Sequence, residues 1–211
     1  MTGDLVTGEA QVHDARGHDL QVHDAQVHDA QVHDGAHRIL DFWFALTPEQ
    51  HFAKDAALDR MLADRFSASR ERVTTTRAAG WRDHPDTLLA AIILTDQVSR
   101  NIHRGSAEAF AHDDLAAELT IGGIAKGWEQ RYPPARRVFF YMPLMHAEDA
   151  PLQDLSVDRF AALGIADNLA FARAHREVFL RFGRFPSRNA ALGRASTPEE
   201  EAYLAQPGAG W

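Results

Sequence analysis

Four arginines lie within fourteen residues near the end of the sequence, in the segment RFGRFPSRNAALGR at 181–194. A glycine and a proline in this segment predict a short, rigid connector that carries Arg184, Arg188 and Asn189. Guanidinium groups that are held rigidly donate paired hydrogen bonds to carboxylates and phosphates. The segment therefore predicts a site for an anionic ligand, or an internal network in which these arginines pair with acidic side chains of distant helices.

A second set of polar residues lies in the segment DTLLAAIILTDQVSRNIHR. The first half of this segment is apolar on all sides, whereas the polar side chains of the second half fall on one arc of a helix. They are Asp96, Gln97, Arg100, Asn101 and Arg104. This arc fits a binding face, and it equally fits a solvated surface with an Asp96–Arg100 pair one turn apart.

A third set lies around the segment MHAEDAPLQ, with one further histidine downstream. A histidine beside a carboxylate is the arrangement of a general base, and it is also the arrangement of a buried structural hydrogen bond. The same nitrogen and oxygen atoms can hold a metal for hydrolysis, but their spacing matches no defined metal motif. We expect no metal and no cofactor. The candidate catalytic residues are His146, His175, Glu148 and Asp149.

The three sets form one ligand site only if Arg184 or Arg188 lies near His146 and near the polar arc that starts at Asp96, with at least one guanidinium left unpaired for the ligand. Buried carboxylates need cationic partners, and the chain has only two lysines. A hypothesis from another class is a non-catalytic helical module that binds a peptide or partner protein, with the arginines as internal struts. The candidate ligand-binding residues are Asp96, Gln97, Arg100, Asn101, Arg104, Gln153, Arg184, Arg188 and Asn189.

The elements that carry these residues are predicted to be helices, because apolar residues recur every three to four positions and no alternating strand pattern is present. The segments TPEQ at 47–50 and TPEE at 197–200 predict two helix starts with capping boxes. The fold class is therefore all-α, a single domain of stacked antiparallel helix pairs over residues 36–208. Other helices are expected near 55–79, 86–103, 106–125, 134–149, 151–163 and 166–182.

Residues 10–34 are five pentapeptides of the type AQVHD, which hold five of the twelve histidines. A period of five scatters the histidines around a helix and alternates them between the faces of a strand, and no face is consistently apolar. We therefore expect residues 1–35 to be a disordered, low-complexity tail that makes little contact with the domain. Metal capture by the clustered histidines is the alternative.

Composition restricts the class of partner. The net charge is −8 at 211 residues, which argues against binding to nucleic acid or to an anionic membrane. The chain has no cysteine, no signal-like start and no long apolar run, so we expect a cytoplasmic protein. The expected partner is a small anionic molecule or a peptide, and the sequence does not predict an oligomeric state.

Several segments, taken together, resemble family 924 of the domains of unknown function, a bacterial family of the tetratricopeptide-like (TPR-like) helical folds. The resemblance runs from about Ile39 to Leu204, and it implies a TPR-like fold but no established activity. One departure is Val98-Ser99, where the family usually has Phe-Pro, so no kink is expected before Arg100. The matching segments are ILDFWF, DQVSRN with Arg104, FAHD, YMPLMHAED with Gln153, His175, RFGRFPSRN, LGR and STPEE.

Overall fold

The computed structural model describes residues 29–210, and every regular element in this range is helical. This confirms the all-α class. The helices are α1 (29–45 in the described part), α2 (Pro48–Phe52), α3 (Ala56–Thr75), α4 (Pro85–Ile93), α5 (Ser99–Ile102), α6 (Asp113–Ala125), α7 (Pro134–His146), α8 (Ala150–Leu163), α9 (Ala166–Phe182) and α10 (Pro198–Leu204). A π-helical turn, Leu94–Val98, joins α4 to α5, and short 3₁₀ turns occupy Ala107–Ala109, Trp128–Arg131 and Pro186–Arg188.

Both predicted capping boxes are present. Thr47 at the start of α2 accepts a hydrogen bond from the Gln50 backbone, and the Gln50 side chain accepts one from the Thr47 backbone. Thr197 and Glu200 form the same reciprocal pair at the start of α10. Several boundaries differ from the prediction, and the helix expected to reach residue 79 ends at Thr75. The helix expected from residue 106 begins only at Asp113, and the one expected to reach 149 ends at His146.

Helix α4 lies at the centre of the core. Residues 89–94 are fully buried, as expected for a segment that is apolar on all sides, and α4 contacts both α6 and α7. Helices α7, α8 and α9 pack consecutively on one another. In the part of the chain that the structure describes, no helix is both long and apolar enough to cross a membrane.

The described part of helix α1 includes residues 29–35, which were expected to belong to the disordered tail. Residues 1–28 lie outside the described range, but residues 29–35, which we assigned to the tail, are helical. Val32 is only 1% exposed and belongs to the same buried face as Ala36, Ile39 and Trp43. A period of five scatters the valines only when several repeats are taken together. The valine of the last repeat is in helical register with the apolar residues that follow it.

Val32 gives a direct test of this boundary. A Val32→Ala variant is expected to lose on the order of 2 kcal/mol of unfolding free energy, because it leaves a small cavity in the core. The exposed neighbour Gln31 provides the control, and Gln31→Ala is expected to change stability by less than about 0.5 kcal/mol. Chemical denaturation measures both. Equal stability of the two variants would place residues 29–35 outside the folded domain.

Candidate functional site

A cavity of about 370 Å³ lies where the end of α5, the turn before α6, the end of α7, α9 and the 186–188 turn meet. Four of its lining side chains are cationic and two are histidines, and no acidic side chain from residues 29–210 lines it. A second depression, lined by Val157, Arg173, Arg176, Glu177 and Leu180 between α8 and α9, contains none of the predicted site residues. The cavity is lined by Lys54, Arg100, Arg104, Gly105, Ala109, Phe110, His146, His175, Phe185, Ser187, Arg188 and Ala191.

An aspartate–histidine pair lies in the wall of this cavity. The Nδ1 atom of His146 is 2.7 Å from Oδ1 of Asp96, which is fully buried and also accepts a hydrogen bond from Gln97. A carboxylate only accepts hydrogen bonds, so the proton is on Nδ1 and the unprotonated ring nitrogen is Nε2. No described residue is hydrogen-bonded to Nε2. This is the arrangement in which a carboxylate orients a histidine for general base chemistry.

The π-helical turn brings both Asp96 and Gln97 to the protein interior. In it the backbone widens between Leu94 and Val98, and the hydroxyl of Ser99 donates a hydrogen bond to the Leu94 carbonyl. Single π turns of this kind occur frequently at functional sites. The turn therefore buries side chains that the helical projection placed on a possible solvent-facing arc.

Neighbouring charges keep Asp96 ionised, and burial keeps His146 neutral. Burial alone would raise the pKa of Asp96, but Arg100 and His146 hold that pKa well below its ordinary value. Burial lowers the pKa of His146, and the attraction of Asp96 offsets this only in part. His146 therefore presents a neutral imidazole at neutral pH.

Asp113 joins two arginines from distant segments. Its Oδ2 atom is 2.9 Å from Nη2 of Arg100 and 3.0 Å from Nη1 of Arg188. Nη2 of Arg188 also donates to the backbone carbonyl of His146 at 2.8 Å. Burial lowers the pKa of Arg188 to about 10, so the guanidinium stays charged at neutral pH. The geometry thus brings Arg188 to both His146 and the polar arc, which is the convergence expected from the sequence.

Two aromatic rings flank the Arg188 guanidinium. Its central carbon is 4.8 Å from the ring centroid of Phe110 and 4.6 Å from that of Phe185. Cation–π contacts of this kind hold a guanidinium in place while leaving its edge able to donate hydrogen bonds. Arg188 is therefore a positioned group.

The rest of the polar arc pairs with α3. Both Oδ atoms of Asp59 accept hydrogen bonds from Arg104, each at 2.9 Å, and Asn101 donates to the same carboxylate. Arg104 nevertheless lines the cavity, because only one edge of its guanidinium is used by Asp59. Asn101 serves to connect α5 with α3.

Arg184 and Asn189 point away from the cavity. Arg184 makes a two-point contact with the carboxylate of Glu200 in α10, at 2.7 and 2.8 Å. Asn189 is buried and donates to Ser196 and to Glu200. These two residues of the arginine-rich segment fasten α10 to the domain.

Glu148, Asp149 and Gln153 also have structural contacts. Glu148 accepts two hydrogen bonds from Arg194 and one from the backbone of Phe185. Asp149 is exposed and caps α8. Gln153 donates to backbone carbonyls at the end of α7, and none of the three lines the cavity. Of the four candidate catalytic residues, the cavity contains His146 and His175.

Several residues that shape the cavity were not among the predicted ones, namely Lys54, Asp59, Phe110, Asp113 and Phe185. Phe110 and Asp113 belong to the FAHD segment, which the family resemblance singled out without a role. Asp113 is the first residue of α6, where an acidic residue is ordinary because it complements the helix dipole. Asp113 pairs with Arg188, which is 75 residues away, and no sequence pattern near either residue predicts this pairing.

His175 stands beside His146, with ring centroids 5.9 Å apart, and its Nδ1–H donates to the Phe171 carbonyl at 2.8 Å. Burial and the neighbouring His146 lower the pKa of His175 to about 3. Among residues 29–210 no group of three histidine, aspartate or glutamate side chains is arranged to hold a metal ion. His175 is therefore a neutral part of the cavity wall.

The lowered pKa of His175 predicts a pH-dependent stability. Between pH 6.5 and 3 the unfolded chain binds a proton at this residue and the folded chain does not, so stability falls as the pH falls. From pH 6.5 to 5 the wild type is expected to lose about 1.5 kcal/mol more than a His175→Phe variant. Denaturation at the two pH values measures this, with the exposed His37→Phe as control. If the His175→Phe and His37→Phe variants show the same pH dependence of stability, the prediction is wrong.

The family model described as "Bacterial protein of unknown function (DUF924)" matches residues 39–208. The solved structure of a protein of unknown function from Agrobacterium tumefaciens is similar, with 40% sequence identity and a TM-score of 0.77. The match covers 81% of this chain and 96% of that one. None of the curated proteins is significantly similar to the chain.

Proposed function

Since the chain belongs to the bacterial DUF924 family of proteins of unknown function, we propose from its own geometry that the cavity binds a small anionic ligand. The observation that carries this is the distribution of charge. The cationic side chains of Lys54, Arg100, Arg104 and Arg188 line the cavity, and the carboxylates that pair with the arginines are absent from its lining. In a chain with a net charge of −8, this is a local reversal of sign.

The charges around the cavity leave a positive excess. Four cations are opposed by the three carboxylates of Asp59, Asp96 and Asp113, so these seven groups together carry one net positive charge. An anion is the ligand that balances this charge in a partly desolvated site.

The arginines also keep donors for a ligand. A guanidinium has five N–H donors, and Arg188 uses one on each terminal nitrogen, for Asp113 and for His146. Contact with two aromatic rings and two acceptors fixes its position before a ligand arrives. A ligand that binds preorganised donors does not have to immobilise them.

His146 is the proposed acid/base group of the site, and His175 its neighbour in the wall. Asp96 fixes the tautomer in which Nε2 is basic, and it stabilises the imidazolium that forms when Nε2 takes a proton. The proposed reaction class is therefore proton transfer to or from a bound anion. The TPR-like stacking and the cytoplasmic location stay proposals, which rest on the family resemblance and on the lack of cysteine.

The competing proposal is a non-catalytic module that binds a peptide or partner protein. The observation that favours it is that all four candidate arginines contact a protein carboxylate, whereas the hypothesis of a ligand site expects at least one guanidinium without such a partner. Against it, two of these arginines share a single carboxylate, and both histidines lie in one cavity instead of an open groove.

A titration at pH 8, where ordinary histidines are neutral, tests the proposal. Acetate and inorganic phosphate are added to the full chain at constant ionic strength, with methylammonium chloride as the cation control. Ligand at ten times its dissociation constant is expected to stabilise the fold by about 1.4 kcal/mol, and this stabilisation is expected to grow with the logarithm of the ligand concentration. Methylammonium is expected to have no effect. If the anions stabilise the protein no more than matched sodium chloride does, the cavity is not an anion site.

A further inference from the structure

We infer that the anion carries a hydroxyl group beside a carboxylate, so that the cavity takes small 2-hydroxy carboxylates. This rests on the anion site proposed above and deepens it. It follows from three features of the cavity: an imidazole acceptor in its lining, the contacts that hold this imidazole beside the cations, and the size of the positive excess.

The acceptor is Nε2 of His146. Lysine and arginine side chains only donate hydrogen bonds, so Lys54, Arg100, Arg104 and Arg188 offer a ligand no acceptor. The imidazole differs, because Asp96 takes the Nδ1 proton and leaves Nε2 with a lone pair. A ligand that suits this part of the lining has an anionic end and a hydrogen-bond donor for Nε2 of His146.

The donor must be close to the anionic end. Oδ1 of Asp96 is 2.7 Å from Nδ1 of His146 and 2.9 Å from Nη1 of Arg100, so the imidazole and the guanidinium flank a single oxygen atom. On the other side, Arg188 reaches the backbone carbonyl of His146 itself at 2.8 Å. A ligand that touches both the guanidinium groups and the imidazole therefore has its donor within a few bonds of its charge. A hydroxyl on the carbon next to the carboxylate has this spacing.

The charge of the site favours a carboxylate over a phosphate monoester. The excess among the described groups is a single positive charge, which one carboxylate neutralises. A phosphate monoester carries close to two negative charges at neutral pH, because its second pKa is about 6. The apolar lining by Ala109, Phe110 and Ala191 also suits a short carbon chain.

A matched pair of ligands tests the inference. Propanoate and 2-hydroxypropanoate have the same charge and the same number of carbon atoms, and they differ by one hydroxyl. Calorimetric titration of the full chain at pH 8 is expected to give roughly 3- to 10-fold tighter binding of 2-hydroxypropanoate, the value of one hydrogen bond. Equal affinities, or tighter binding of inorganic phosphate than of 2-hydroxypropanoate, overturn the inference.

The variant His146→Asn tests whether the preference for 2-hydroxypropanoate depends on Nε2 of His146. Its amide nitrogen takes the approximate place of Nδ1 and can still donate to Asp96, whereas no atom replaces Nε2. Both carboxylates are expected to bind this variant with equal affinity. A preference for the hydroxyl that persists in the variant overturns the inference.

A measurement on the wild type covers the case in which His146→Asn does not fold. The ¹⁵N chemical shift of Nε2 in His146 is expected to move on addition of 2-hydroxypropanoate, because the nitrogen then accepts a hydrogen bond, and not to move with propanoate. Identical responses to the two ligands overturn the inference. If both carboxylates bind equally and Arg188→Lys weakens both, the anion site stands and only the hydroxyl assignment fails. If neither binds, the proposed function fails too.

Discussion

Replacing Gly123 by alanine is expected to lower the free energy of unfolding by roughly 3 kcal/mol, because α6 touches its neighbours at this position. A β-carbon at Gly123 would lie 2.4 Å from Cζ of Phe140 and 2.7 Å from Cδ2 of Leu88. Both side chains are buried in the core, so neither can move away without displacing other atoms. The glycine is what allows α6 to approach α4 and α7 this closely.

The adjacent Gly122 is a matched control in the same helix. A β-carbon there meets nothing within 4 Å, and the residue is exposed. Gly122→Ala is expected to raise stability by about 0.5 kcal/mol, since alanine is the better helix former. Urea denaturation of the two variants measures the difference. If Gly123→Ala is as stable as Gly122→Ala, the close approach of α6 to α4 and α7 described above is incorrect.

Changing Arg188 to lysine is expected to weaken binding of 2-hydroxypropanoate or acetate roughly 10-fold. The substitution keeps the charge but removes the fork, and one ammonium group cannot serve Asp113, the His146 carbonyl and a ligand with the same geometry. The change in affinity is measured by calorimetry on the folded variant.

Arg184 provides the matched control from the same segment. Arg184→Lys also keeps the charge, and it disrupts the two-point contact with the buried Glu200, so it is expected to lower stability. Anion affinity is expected to stay within a factor of two of the wild type, because Arg184 does not line the cavity. If the Arg184→Lys and Arg188→Lys variants lose the same amount of anion affinity, Arg188 has no greater role in anion binding than Arg184.

The features that the sequence predicts correctly are local. The capping boxes at Thr47 and Thr197 are encoded within four residues each, and the buried α4 is apolar along its whole length. The segments of the site are also recognisable, because polar residues in otherwise apolar helices are conspicuous. Neither inference depends on how distant segments pack.

Which partner each of two similar arginines takes depends on how distant segments of the chain pack together. Arg184 and Arg188 are equivalent in the sequence, yet one pairs with Glu200 sixteen residues away and the other with Asp113 seventy-five residues away. The π turn at Leu94–Val98 likewise changes which way Asp96 points without a signal from periodicity. In the tail, Val32 is buried only because the last repeat is continuous with α1.

The most direct test of the anion site is an NMR titration of the full ¹⁵N-labelled chain with acetate, observing the Nε–H groups of the arginines at pH 7. The signals of Arg100 and Arg188 are expected to shift and to saturate with one dissociation constant, the same as that from calorimetry. The signals of Arg184 and Arg176, which lie outside the cavity lining, are expected to stay in place. If acetate leaves Arg100 and Arg188 unchanged, or shifts all four without saturation, the cavity does not bind small anions.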